Sequence, residues 1–186
     1  MHEQFLRNEM LWGPEGQERL SKAHVILFGL GGVGSYVAEC LARAGVGELT
    51  LVDSDRVAVS NINRQLEALH STVGLPKAAA VASRILDINP SVILHPFHTL
   101  YDAEHRDLFF PEGCHYDYIV DAIDLVTCKL DLAETSRRLQ IPLIMALGTG
   151  NKLDPTQLKV ADISETYRSE ERRVGKECRS RWSPYH

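Results

Sequence analysis

The chain is expected to fold as one α/β unit, Rossmann-like, with a mostly parallel sheet and helices on both faces. Three observations predict this. Apolar runs of strand length alternate with helix-length segments along residues 23–146. A glycine-rich turn, Gly29-Leu-Gly-Gly-Val-Gly34, joins the first such strand to the first such helix. An acid, Asp53, ends the second strand 19 positions after Gly34.

The elements come in order along the chain. His24 to Phe28 is a short apolar run, and the segment from Ser35 has helical spacing, with Val37, Leu41 and Ala44 on one face and Gly45 as its stop. Glu48 to Asp53 reads as the second strand, leading into a polar stretch from Asp55 to Gln65. A helix is expected over Lys77 to Ile88, closed by Asn89-Pro90, then a strand over Val92 to Phe97 and a short helix over Ala103 to Phe109. Tyr118 to Asp121, Val126 to Leu139 and Ile141 to Ala146 complete the alternation as strand, helix and strand. Gln157 to Asp162 reads as the start of one more strand.

Composition supports a folded domain. With 186 residues, 44% of them hydrophobic and 24% charged, the chain has enough apolar material for a sizeable core and is neither disordered nor collagen-like. It holds no run approaching the roughly 18 apolar residues of a membrane span, and its start has no apolar signal core, so a cytoplasmic protein without membrane contact is expected. Cys40, Cys114, Cys128 and Cys178 form no C-x-x-C pair, which argues against a disulfide framework or a four-ligand zinc site. Cys40, inside the first helix, is expected in the core. His95 and His98 sit in a strand at a spacing that points them to opposite faces, so no metal pair is expected from them.

The glycine turn is the first chemical signal. Gly29, Gly31 and Gly34 let backbone approach phosphates while a helix N-terminus offers N–H groups and a positive dipole. Asp53 fits a ribose-hydroxyl acceptor. Beyond Asp53 the chain is richer in charge and amide groups than a dinucleotide site requires, in Ser60-Asn-Ile-Asn-Arg-Gln65, Val73-Gly-Leu-Pro-Lys77 and Asp121-Ala-Ile-Asp124. An enzyme that activates a carboxylate with ATP has this need. It must neutralise a triphosphate, stabilise an α-phosphate under attack and hold Mg2+ through a carboxylate.

Together these motifs resemble the ubiquitin-activating-enzyme-like superfamily of adenylating enzymes, of ThiF and MoeB type, over residues 1–167. Within it, the opening Met-His-Glu-Gln-Phe, Asp87-Ile-Asn-Pro90 and Gly150-Asn-Lys-Leu-Asp-Pro-Thr156 are similar to the tRNA threonylcarbamoyladenosine dehydratase family. The resemblance implies adenylation of the threonyl carboxylate beside the tRNA anticodon, then ring closure with loss of AMP, using ATP and Mg2+. It implies that Gly29, Gly31, Gly32 and Gly34 underlie the phosphates, that Asp53 binds ribose and that Asn61 or Asn63, with Arg64, contacts phosphate. Lys77 would reach the α-phosphate, Asp124 would hold the metal, and Arg7 would enter a partner subunit's site in a homodimer. The implied partners are tRNA carrying threonylcarbamoyladenosine, a second copy of the chain and a cysteine-desulfurase or sulfur-relay protein. Activation of a sulfur-carrier or ubiquitin-like C-terminus, a nucleotide-binding fragment without turnover and a dinucleotide oxidoreductase remain as alternatives.

The segment 168–186 stands apart. It holds six basic and three acidic residues, and without it 14 bases face 22 acids. It has neither helical nor alternating periodicity and resembles the translation of a sequencing adapter. The expectation is an adenylating domain over 1–167, incomplete on its C-terminal side, with a non-native tail after it. The resemblance implies further elements after Thr156, including a cysteine region, that this chain does not carry. A tRNA binder needs a basic surface, for which Arg84, Arg137 and Arg138 are the candidates.

Overall fold

The computed structural model describes residues 3–148 and 154–165. Five strands form one all-parallel sheet in the order β3-β2-β1-β4-β5. They are β1 (His24–Phe28), β2 (Glu48–Val52), β3 (Ile93–Phe97), β4 (Tyr118–Asp121) and β5 (Leu143–Met145). The helices are α1 (Leu6–Lys22), α2 (Gly34–Ala44), α3 (Lys77–Ile88), α4 (Arg106–Phe109) and α5 (Val126–Leu139).

Alternation along the strands builds two cores. Val25, Leu27, Leu49 and Leu51 face α2 and α3, where Ala38, Ala42, Val81 and Ile85 close a tight, alanine-rich layer. Ile26, Phe28, Val52 and Ile119 face the other way, onto Tyr101, Phe109, Phe110 and Leu132 from the α4 and α5 side. Burial on both faces is why these strands read as nearly continuous apolar runs.

Several expectations change. The N-terminal helix α1, kinked at Gly13, is not legible from periodicity. Cys40 is exposed, because the inward stripe of α2 runs through Ala38 and Ala42. Gln157 to Asp162 forms no strand. Gln157 ends a short 3-10 turn whose amides bond back to Asp154 and Pro155, and β5 remains the sheet edge among the described residues. Arg84 lies on α3 and is held by Glu39 at 2.6 Å, whereas Arg137 and Arg138 end α5 on the opposite face of the sheet, so the three make no single basic surface. Residues 149–153 of the glycine-asparagine-lysine motif and the segment 168–186, with Cys178, lie outside the described residues.

Candidate active site

The strand order changes direction between β1 and β4, and open α/β sheets take ligands in the crevice beyond the carboxyl ends of such a pair. Gly29 leaves β1 at this point with φ 85°, and a Cβ on it would lie 2.7 Å from the Ala122 carbonyl oxygen just beyond β4. A Cβ on Gly34 would overlap the Gly29 carbonyl oxygen. Gly31 and Gly32 differ, since a Cβ there would meet nothing nearer than 3.6 Å. Packing therefore demands glycine at 29 and 34. At 31 and 32 it leaves bare backbone that an outside group can approach. Helix α2 starts at the same place without a side-chain cap, with its Ser35 and Val37 amides donating to the Gly31 and Val33 carbonyls.

Asp53 fastens this loop. One carboxylate oxygen accepts the Leu30 amide at 2.7 Å and the other accepts the Asp55 amide at 2.7 Å, which ties the glycine turn to the end of β2. Asp55 in turn accepts the Lys77 ammonium at 2.9 Å, and its carbonyl accepts the Lys77 amide. The Lys77 side chain is only 6% exposed while that of Asp55 is 68% exposed, so the pair is open on the acid's side.

The excursion between Asp55 and Lys77 is anchored by Val57, Ala68 and Ala80 and carries residues 59–67 back to the glycine turn. Arg64 lies beside Gly32 and Gln65 beside Gly31, and the Leu66 amide donates to the Ser35 hydroxyl. The Asn63 side chain accepts from Arg64, and Asn61 accepts the Ala58 amide, shaping its own turn. Asp124 is exposed, two residues beyond the Ala122 carbonyl that meets Gly29, and its carboxylate makes no hydrogen bond among the described residues. Arg7 is not part of this group. Helix α1 docks on the far end of α2, where Asn8 and Gln17 donate to the Arg43 and Ala44 carbonyls, roughly 16 Å along α2 from the glycine turn.

Three participants escaped sequence reasoning. Glu67 is 2% exposed with neither carboxylate oxygen hydrogen-bonded, and burial pushes its carboxyl up from the ordinary range against the pull of nearby Lys77. Relative to Glu67→Gln, the protein is expected to lose stability as pH rises from below about 4.3 through the raised native value. The folded chain keeps a proton over that window that the unfolded chain has released. Urea midpoints of both proteins across the range check it. Asp121 and Lys129 form the other omission. Both are buried, at the floor of the crevice, with Nζ 3.0 Å from the carboxylate and 2.9 Å from the Ala146 carbonyl. The legible signal was a lysine in the apolar stripe of α5 behind a strand that ends in aspartate. Burial pushes the Cys114 and Cys128 thiols up, the reverse of an activated nucleophile.

The profile of the ThiF family matches residues 5–181. The chain belongs to the ThiF family. Among ThiF-type relatives it is 46% identical over 167 residues to the tRNA threonylcarbamoyladenosine dehydratase of Bacillus subtilis, covering 90% of this chain and 65% of that protein. It is 35% identical to the molybdopterin-synthase adenylyltransferase of Escherichia coli, covering 70% of this chain and 51% of that one. The crystal structure of the E. coli tRNA N6-threonylcarbamoyladenosine dehydratase, TcdA, in complex with ATP matches with a TM-score of 0.90 and 37% identity, over 96% of this chain and 73% of that chain. The chain spans 58–65% of the length of the bacterial dehydratases it matches. Among the described residues no helix is long and apolar enough to cross a membrane.

Proposed function

We propose that this ThiF-family chain binds ATP and carries out the ATP-dependent dehydration, by cyclisation, of threonylcarbamoyladenosine in tRNA, in the cytoplasm; the bacterial relatives it matches are named tRNA threonylcarbamoyladenosine dehydratases. The observation that supports it best is the linkage of Lys77, through Asp55 and Asp53, to the glycine turn, where Arg64 lies beside the open Gly31-Gly32 backbone at the start of α2. Such a cluster opposes the charge of a triphosphate and of the α-phosphorus as it gains a fifth oxygen. The threonyl carboxylate attacks that phosphorus, pyrophosphate leaves, and a second group of the same side chain then displaces AMP and closes the ring. A carboxylate is a poor electrophile, and the mixed anhydride supplies its leaving group. Asp53 is assigned to the ribose, Asn61 and Asn63 to phosphate oxygens, and residues 1–167 to the adenylating domain.

Asp124 offers an exposed carboxylate with no other hydrogen bond among the described residues, a donor suited to Mg2+. When bound there, the ion would offset phosphate charge. Arg7 is assigned to the site of a second copy, since α1 holds it far from its own and surrounds it with exposed Leu6, Met10 and Leu11. Gly31→Ala is expected to leave the melting temperature within a few degrees and to weaken ATP binding about tenfold, by calorimetric titration, because the new methyl meets only the Gln65 amide, at an ordinary 3.6 Å, until a phosphate approaches.

The deciding experiment incubates the protein with ATP, Mg2+ and tRNA bearing the modified nucleoside, with nucleoside mass spectrometry as the readout. Loss of one water from the nucleoside, with one AMP and one pyrophosphate formed per turnover, is the expected result. Unchanged tRNA overturns the dehydratase reading, and adenylate formation on a carrier protein's C-terminal glycine would replace it.

A further inference from the structure

At the other end of the sheet, three side chains from three neighbouring strands converge. His24 and Glu48 are the first residues of β1 and β2 and stand opposite each other in register, while His95 stands opposite Thr50 in β3. The Glu48 carboxylate oxygen lies 2.7 Å from His95 Nε2 and 3.5 Å from His24 Nδ1, and one ligand atom from each of the three residues lies within 4.8 Å of the other two. Four residues of strand, about 13 Å, separate His24 from the start of the glycine turn, so the cluster is distinct from the candidate active site.

We propose that His24, Glu48 and His95 form a binding site for a divalent transition-metal ion of the zinc class, with water completing the coordination. Two imidazoles and a carboxylate are a donor set that zinc takes in open, three-ligand sites. Ligand atoms about 2.0–2.1 Å from a tetrahedral ion are about 3.3 Å apart, so the observed separations need only sub-ångström adjustment for the Glu48 pairs. His24 is also supported as metal ligands usually are. Its Nε2 lies 2.9 Å from the Thr50 hydroxyl, the Tyr116 ring packs 4.5 Å from it between centroids, and the Asp117 carboxylate accepts its backbone amide. In the tautomer that donates from Nε2 to the Thr50 hydroxyl, the Nδ1 lone pair faces Glu48 and is free to ligate an ion between them. The His95 side chain is 42% exposed, which gives an ion and its water a route in. Because the ligands come from β1, β2 and β3, the ion would pin the amino ends of β1 and β2 to the middle of β3, remote from the chemistry.

The test is titration of chelator-stripped protein with Zn2+ in excess Mg2+, against a chromogenic competitor, together with melting curves. One equivalent is expected to bind and to raise the melting temperature. Glu48→Gln and His95→Ala, both at partly exposed side chains, are expected to weaken that binding at least tenfold and to abolish the thermal shift. His98→Ala, a short step along the chain from His95, is expected to change neither. Absence of a stoichiometric Zn2+ equivalent in the unaltered protein, or variants that bind as it does, would overturn the proposal.

Discussion

Lys77→Met is expected to slow adenylate formation about 100-fold or more while shifting the melting temperature by only a few degrees. The lysine's worth lies in charge that appears at the α-phosphorus as the carboxylate attacks, and loss of one such preorganised donor typically costs a factor of about 10²–10³. Its structural worth is smaller. Methionine refills the buried volume of the stem, and the abandoned partner, Asp55, has a side chain 68% exposed, where water replaces the ammonium. Glu67 loses its nearby cation but is already pushed toward its neutral form by burial. ATP–pyrophosphate exchange measures the chemical step and a calorimetric ATP titration the ground state. Equal losses in both would make Lys77 a binding residue only.

Lys129→Met is expected to do the opposite, destabilising the fold by about 3–5 kcal/mol. Here the abandoned acid is Asp121, which has no exposure and no water to turn to. The ammonium also joins the end of β4 to the Ala146 carbonyl after β5, so its loss leaves a second, partly buried acceptor short of a donor. Urea denaturation measures the loss. Adding Asp121→Asn to the variant is expected to recover most of it, because a neutral amide escapes the cost of an unpaired buried charge. The two ion pairs look alike on a distance criterion, at 2.9 and 3.0 Å, and the burial of the acid separates their consequences.

The parallel sheet was readable because both of its faces are covered. β1, β4, α3 and α5 occupy the spans their apolar runs predict, as strands buried on both sides and helices closed by Asn89 and Gln140 must. Helix α1 was not readable. It buries only Gly16 and Gln17, leaves Met10 and Leu11 exposed, and is interrupted at Gly13, so it shows no apolar stripe of constant period. In the site, the residues on the glycine turn and at the start of α3 were accessible to motif reasoning, because spacing along one βαβ unit fixes where they fall. Glu67 and the Asp121–Lys129 pair were not. Their roles depend on a loop folding back and on two elements meeting, and the one periodic trace either leaves is Lys129 within the apolar stripe of α5. The cluster of His24, Glu48 and His95 is the extreme case, since its members are 24 and 47 positions apart and become neighbours only through strand order.

Strand order also governs how this chain assembles as it emerges from the ribosome. β1, β2 and β3 are consecutive in the chain and adjacent in space, so they can pair once residue 97 is free. The inner edge of β1 cannot be covered until β4, which begins 94 positions after it, has been made. Every pairing is parallel, so no hairpin can form early to hold that edge, and closure must wait on long-range contacts. During that interval Ile26 and Phe28 lack the β4 neighbour that later flanks them. Synthesis rate between residues 97 and 121 thus sets how long an aggregation-prone half-sheet exists before the crevice has two walls.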